Sequence, residues 1–239
     1  MADTDNKQIG KALLLIGSAK PEGQSTSEML GTYLLDQLVR HGYRGETYFV
    51  HRALRTPQRT QELLAALDQS DLFTLAFPLY VDSLPYLVTE ALERIAAHRR
   101  AQPTPAATRF VAIANCGFPE AQHNATALAI CHAFARQTGM NWAGGLALGQ
   151  GGAIAGRPLT AISGMARHAI TALDLTATAL CRGQPVPEEA VALMAKPLMP
   201  PFFYTMMGNM GWRLEAHRQG ALGHLRDQPF AATASHPVE

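Results

Sequence analysis

Residues 12–30 read ALLLIGSAKPEGQSTSEML. The opening ALLLIG is an apolar burst of strand length with no polar face, the pattern of a parallel strand buried on both sides. A connection rich in hydroxyls and glycine follows, and Ser25 stands three residues before Glu28, the spacing of a capping box that starts a helix. One strand, one loop and one helix are therefore expected in 30 residues.

The same alternation continues along the chain. Strands are expected at 12–17, 45–50, 72–77, 110–115 and 142–148, and helices at about 27–41, 60–69, 85–99, 125–138 and 163–182. Strand–helix alternation is the signature of an α/β domain, a doubly wound five-stranded parallel sheet with helices on both faces. We place this domain at residues 1–182. GQPVP at 183–187 breaks the pattern, and residues 183–239 are read as a C-terminal extension. Within it Glu188 to Ala195 suggests a short helix, MPPFFYTMMGNMGW at 199–212 is apolar but cut by prolines, and 213–226 is polar and partly helical. The 199–212 stretch carries too much apolar surface to be left in water on a monomer, so packing on the domain or a dimer interface is expected, with membrane contact the weaker alternative.

The chain has 239 residues, 47% of them hydrophobic and 16% charged. That is enough to bury roughly 70% of the unfolded surface without disulfide or metal support. A formal net charge of +1 gives no broad basic field, which argues against nucleic acid as a partner. Cys116, Cys131 and Cys181, spaced 15 and 50 apart, form neither a disulfide framework nor a metal knuckle. The N-terminal acidic residues before a short apolar run resemble neither a signal peptide nor a membrane anchor, so a cytoplasmic location is expected.

The candidate chemistry sits in loops after the strands. In the first loop, free N–H groups of the coming helix and the hydroxyls of Ser18, Ser25, Thr26 and Ser27 suit a phosphate, with Lys20 adding charge. A flexible connection with an ordinary serine cap is the alternative. The loop lacks the Gly-Lys-Ser/Thr ending of a Walker A motif and also G-x-G-x-x-G. Gly149-Gln150-Gly151-Gly152 lacks the third glycine of that fingerprint, since position 154 is Ile, and reads as a turn at the sheet edge. The third strand ends in Pro78-Leu79-Tyr80-Val81-Asp82-Ser83-Leu84-Pro85, where Asp82 or Ser83 is expected to cap the next helix. In strand order 2-1-3-4-5, these two loops flank the switch point where ligands bind. Cys116, on a strand-to-helix turn near His123, is a candidate nucleophile or an inert thiol.

GSAKPEGQSTSEML followed by AFPLYVDSLPYLVTEALERI resembles the NAD(P)H-dependent FMN reductase family of flavodoxin-like flavoproteins. The resemblance covers about 150 residues. It implies that Ser18, Lys20, Ser25, Thr26 and Ser27 take the FMN phosphate, and that Pro78, Leu79, Tyr80 and Val81 line the isoalloxazine. Asn115, Cys116, Gly117 and Phe118 would supply backbone amides to the pyrimidine end of the flavin, stabilising charge that develops on reduction. The implied activity is hydride transfer from NAD(P)H to flavin N5 and onward transfer to a quinone, free flavin, nitro compound or protein acceptor, with no catalytic side chain and no metal. A homodimer is the expected assembly. The Lys that many relatives carry soon after the second proline is absent, as Leu87-Val88-Thr89-Glu90 shows, and so are the closely spaced cysteines of the iron–sulfur branch. A non-catalytic electron carrier or flavin sensor and a hydrolase using Cys116 are the competing readings.

Overall fold

The computed structural model describes residues 10–228; the expected frayed tail at 231–239 and the N-terminal acidic segment lie outside them. Five parallel strands form one sheet in the order β2-β1-β3-β4-β5: β1 (Gly10–Ile16), β2 (Tyr43–Phe49), β3 (Leu72–Pro78), β4 (Arg109–Asn115) and β5 (Asn141–Leu148). Every pairing is parallel, so each connection must cross the sheet, and helices supply the crossings. These are α1 (Thr26–Arg40), α2 (Val50–Ala53), α3 (Pro57–Asp68), α4 (Tyr86–Arg100) and α5 (Ala125–Thr138); α6 (Ser163–Cys181) and α7 (Glu188–Met194) follow the last strand.

The period of two along β1 divides the interior. Ala12, Leu14 and Ile16 join Leu30, Leu34 and Leu38 of α1, the alanine-rich face of α6, and Ala190 and Met194 of α7. Leu13 and Leu15 face the opposite way, into a second core built with α3, α4 and α5. In that layer Phe73 stacks on Phe110 at 5.1 Å, and Phe134 and Trp142 meet the Phe110 ring edge-on. A strand buried on both faces has no polar side to show, which is why β1 reads as a continuous apolar run.

Two boundaries differ from the sequence reading. The compact unit runs to Leu198, because α7 and Leu198 complete the α1/α6 core and the 183–187 break stays on the sheet edge, where Val186 N–H donates to Ala143 O at 2.7 Å. The second unit, Met199–Glu239, contains α8 (Pro201–Arg218). The prolines expected to break this stretch instead open it. Pro200 is the N-cap and Pro201 sits in the first turn, where a missing N–H costs nothing. No helix among the described residues is long and apolar enough to cross a membrane.

Helix α1 packs on the sheet at Gly31, where there is no room for a side chain. A Cβ there would stand 2.8 Å from Leu14 Cδ1 and 3.0 Å from Ala76 Cβ. Gly31→Val adds three carbons into that contact. Overpacking of about 1–3 kcal/mol outweighs the gain in helix propensity, which is under about 1 kcal/mol. The variant is expected to lose that much stability in a urea titration, read as a lower midpoint with unchanged slope.

Candidate functional site

Four strands end at the same edge, and the loops that follow β1, β3, β4 and β5 enclose one cleft of about 190 Å³. The first loop bends at Pro21-Glu22-Gly23-Gln24, where Gln24 N–H donates to Pro21 O and Gly23 takes a positive φ of 79°. Ser25 then caps α1, its Oγ accepting from Glu28 N–H at 3.1 Å. The expected capping box forms only by half. The Glu28 carboxylate reaches back to Gly23 N–H at 2.7 Å, which ties the helix start to the turn rather than to Ser25. The first-turn N–H groups of Thr26 and Ser27 have no carbonyl within the helix to bond, and both residues line the cleft at the positive end of the helix dipole.

The hydroxyls of this loop are not equivalent. Thr26 Oγ1 donates its proton to Gly151 O at 2.7 Å, inside the protein. Thr26 thus clamps the loop after β5 onto α1 and offers an anion only its backbone. Ser27 Oγ accepts from Asn115 Nδ2 at 2.8 Å, and Ser18 Oγ accepts from Lys20 N–H at 3.3 Å. Ser18, Ser25 and Ser27 are each buried and each oxygen accepts an N–H, leaving the hydroxyl protons as donors. The Lys20 side chain is exposed at the rim.

The loop after β3 is a tight hairpin. Tyr80 and Ser83 exchange both backbone bonds at 3.0 Å, and Val81 and Asp82 between them take φ values of 47° and 57°, the geometry of a type I′ turn. Asp82 and Ser83 are therefore committed to the turn and do not cap α4. Pro85 is the N-cap, without a side-chain bond, and Tyr86 begins the helix. Tyr80 is half exposed at the cleft, while Val81 is 98% exposed and does not line it.

The loop after β4 is threaded between its neighbours. Leu79 N–H donates to Asn115 O, Gly151 N–H to Cys116 O, and Gln150 N–H to Phe118 O, all at 2.7–2.8 Å. Phe118 lies outside the cleft lining, its ring 4.3 Å from that of His123. Of the thirteen residues singled out in the sequence, eleven line the cleft: all but Val81 and Phe118. Gly151, Gly152 and Ala155 complete it, the two glycines belonging to the 149–152 stretch that the sequence suggests is an edge turn. The turn is there, but its glycines have a second use. A Cβ on Gly149 would lie 2.5 Å from Pro119 O, and one on Gly151 2.9 Å from Asn115 Oδ1, so paired glycines after β5 signal close passage of backbone over the site.

Cys116 does not have the surroundings of a nucleophile. Its thiol is buried, touches Asn124 Nδ2 at 3.4 Å and Glu120 O at 3.5 Å, and burial pushes its pKa up. His123 pairs instead with Glu120 at 3.6 Å.

No family model matches the chain, and no curated protein matches it in sequence. Solved structures do match in three dimensions. A Klebsiella pneumoniae protein described provisionally as a quinone reductase superposes with a TM-score of 0.55 at 14% identity, over 74% of this chain and 87% of its own. An NAD(P)H:quinone oxidoreductase from Methanothermobacter marburgensis gives 0.50 at 13%, over 72% and 98%. A flavone reductase gives 0.53 at 12%, over 71% and 62%. The fold is flavodoxin-like. In this flavodoxin-like domain the cleft occupies the β1/β3 switch point, where the chain reverses the direction in which it lays down strands.

Because burial raises the Cys116 pKa, little thiolate exists at pH 7, and the thiolate is the reactive form. Alkylation of Cys116, followed by peptide mass mapping, is expected to be slow at pH 7 and still accelerating with pH above the ordinary thiol range. A rate that levels off below pH 7 would restore the nucleophile reading.

Proposed function

We propose that the cleft binds FMN and that the protein is an NAD(P)H-dependent FMN oxidoreductase acting on a small-molecule acceptor. The observation that carries this reading is the convergence of two unlike turns on one cleft: a hydroxyl-bearing turn with Ser18, Ser25 and Ser27, and the Pro78–Tyr80 turn. The solved structures of similar fold named as quinone and flavone reductases are in keeping with it.

The residues present fit the group. Ser18, Ser25 and Ser27 would hold the phosphate with the N–H groups of Thr26 and Ser27, and Lys20 would add charge from the rim. Each donor aimed at an ionised oxygen makes a stronger bond than a neutral pair. Pro78, Leu79 and Tyr80 would lie along the ring, and the backbone of Asn115, Cys116 and Gly117 would meet its polar edge. Bound FMN would supply the chemistry, taking a hydride from NAD(P)H and delivering reducing equivalents to a quinone, flavin, nitro compound or protein acceptor. The chain itself would bind, orient and shield, and hydride transfer asks no side chain to act as acid or base in its first step. A homodimer with the site in each subunit is the assembly we propose.

The purified protein is expected to show the visible absorption of oxidised flavin, or to gain it on titration with FMN, and to oxidise NAD(P)H when a quinone is added. Binding without turnover would favour an electron carrier. Ser25→Ala combined with Ser27→Ala removes two donors to phosphate and is expected to weaken FMN by at least about tenfold per hydroxyl, since about 1.4 kcal/mol is a factor of ten. Riboflavin, which lacks the phosphate, should lose far less; equal losses for the two ligands would contradict the phosphate assignment.

A further inference from the structure

We propose that Asn115 is a positioning residue that aims the Ser27 hydroxyl proton into the cleft and so sets affinity for the phosphate of the ligand. The proposal rests on the FMN reading above and adds a residue that acts on phosphate through its side chain, where that reading uses only its backbone.

The orientation of the Asn115 amide is decided by its neighbours. One atom of the head group lies 3.0 Å from Phe77 O and 2.8 Å from Ser27 Oγ. A carbonyl oxygen only accepts, so the atom facing Phe77 O is the nitrogen, and its second hydrogen is the one given to Ser27. The other side of the head group is closed by Gly151, where a Cβ would lie 2.9 Å from Asn115 Oδ1. Asn115 is buried and bonded to both β3 and α1, with Gly151 packed beside it.

The consequence falls on Ser27. An amide nitrogen has no lone pair to accept with, so the Ser27 proton cannot turn back toward Asn115. With its oxygen already accepting, the hydroxyl is polarised and is the better donor for it. Ser27 is 1% exposed and lines the cleft, so a cleft-bound oxyanion is the acceptor its proton can reach. Ser25 receives the equivalent bond from Glu28 N–H, which belongs to the helix and cannot be changed by a side-chain substitution. Asn115 is the member of this arrangement that a side-chain substitution can remove, at the cost of its bond to Phe77 O.

The test compares FMN with riboflavin by fluorescence titration for wild type, Asn115→Ala, Asn115→Asp, Ser27→Ala and the Ser27→Ala/Asn115→Ala double variant. Asn115→Ala is expected to weaken FMN about tenfold and riboflavin less than about twofold. Asn115→Asp keeps the shape of the side chain but draws the Ser27 proton to a carboxylate and sets a negative charge near the phosphate, so it should weaken FMN further. The double variant should match Ser27→Ala within about twofold, because both changes remove the same donor. Riboflavin binding and far-ultraviolet circular dichroism report whether each variant folds, and Asn115→Leu, uncharged and close in volume to Asn, decides the matter if Ala does not fold. Equal losses of FMN and riboflavin, or additive losses in the double variant, would overturn the positioning role while leaving the FMN reading intact. A wild type that binds neither flavin overturns the FMN reading, and this proposal with it.

Discussion

A single buried hydrogen bond, Thr26 Oγ1–H to Gly151 O at 2.7 Å, joins positions 125 residues apart, and the cleft depends on it. It fixes the loop after the last strand against the first turn of the first crossover helix. The parallel sheet brings the two loops together. All five strands run the same way, so the loops leaving their carboxyl ends share one edge, and β1, β3 and β4 are neighbours there whatever their separation in sequence. The loops then bond to one another through the Leu79, Gln150 and Gly151 N–H groups. Closing the set of loops satisfies their own backbone and, as a result, leaves the first-turn N–H groups of α1 as the donors facing outward.

This explains how a site for an anion can exist on a chain with a net charge of +1. The donors are hydroxyls and amides fixed in place, and the dipole of α1 is a property of the backbone. Attraction of this kind acts over a few ångströms and depends on geometry, not on the number of lysines. Lys20, exposed on the rim, would add a longer-range contribution that salt screens. Thr26 shows how the same residue type divides between tasks, since a hydroxyl that has donated its proton to a carbonyl has none left for a ligand.

Much of this was legible in the sequence, for a physical reason. Strands buried on both faces leave an unmistakable mark: LFTLAF and FVAIAN each lie within one residue of β3 and β4, and ALLLIG within two of β1. The Ser25 cap was visible because caps are local. What escaped was non-local or depended on hydrogen-bond partners. The Gly149–Gly152 segment resembles any turn until its contacts with Pro119 and Asn115 are known. The role of Asn115 rests on a bond to a serine 88 positions away. The prolines before α8 were misjudged because proline interrupts a helix interior but favours its first turn, and the boundary decides which applies.

The turn that carries Tyr80 shows the cost of such a site. Val81 at φ 47° is a β-branched residue in the left-handed region, an arrangement that costs of order 1–3 kcal/mol, and its side chain is 98% exposed, so burial returns nothing for it. The ends of the turn explain why it persists. Leu79 N–H is held by Asn115 O at 2.7 Å on one side, and Leu84 and Pro85 are buried on the other, so two residues must reverse the chain whatever their preference. Reversal through Val81 and Asp82 leaves Tyr80 standing at the cleft on the closing pair of the hairpin, directly after Leu79. A longer, relaxed loop would remove the strain but free the tyrosine to turn away. The strain at Val81 and the placement of Tyr80 therefore have one cause: the short span between a strand end fixed by β4 and a helix start fixed by Pro85.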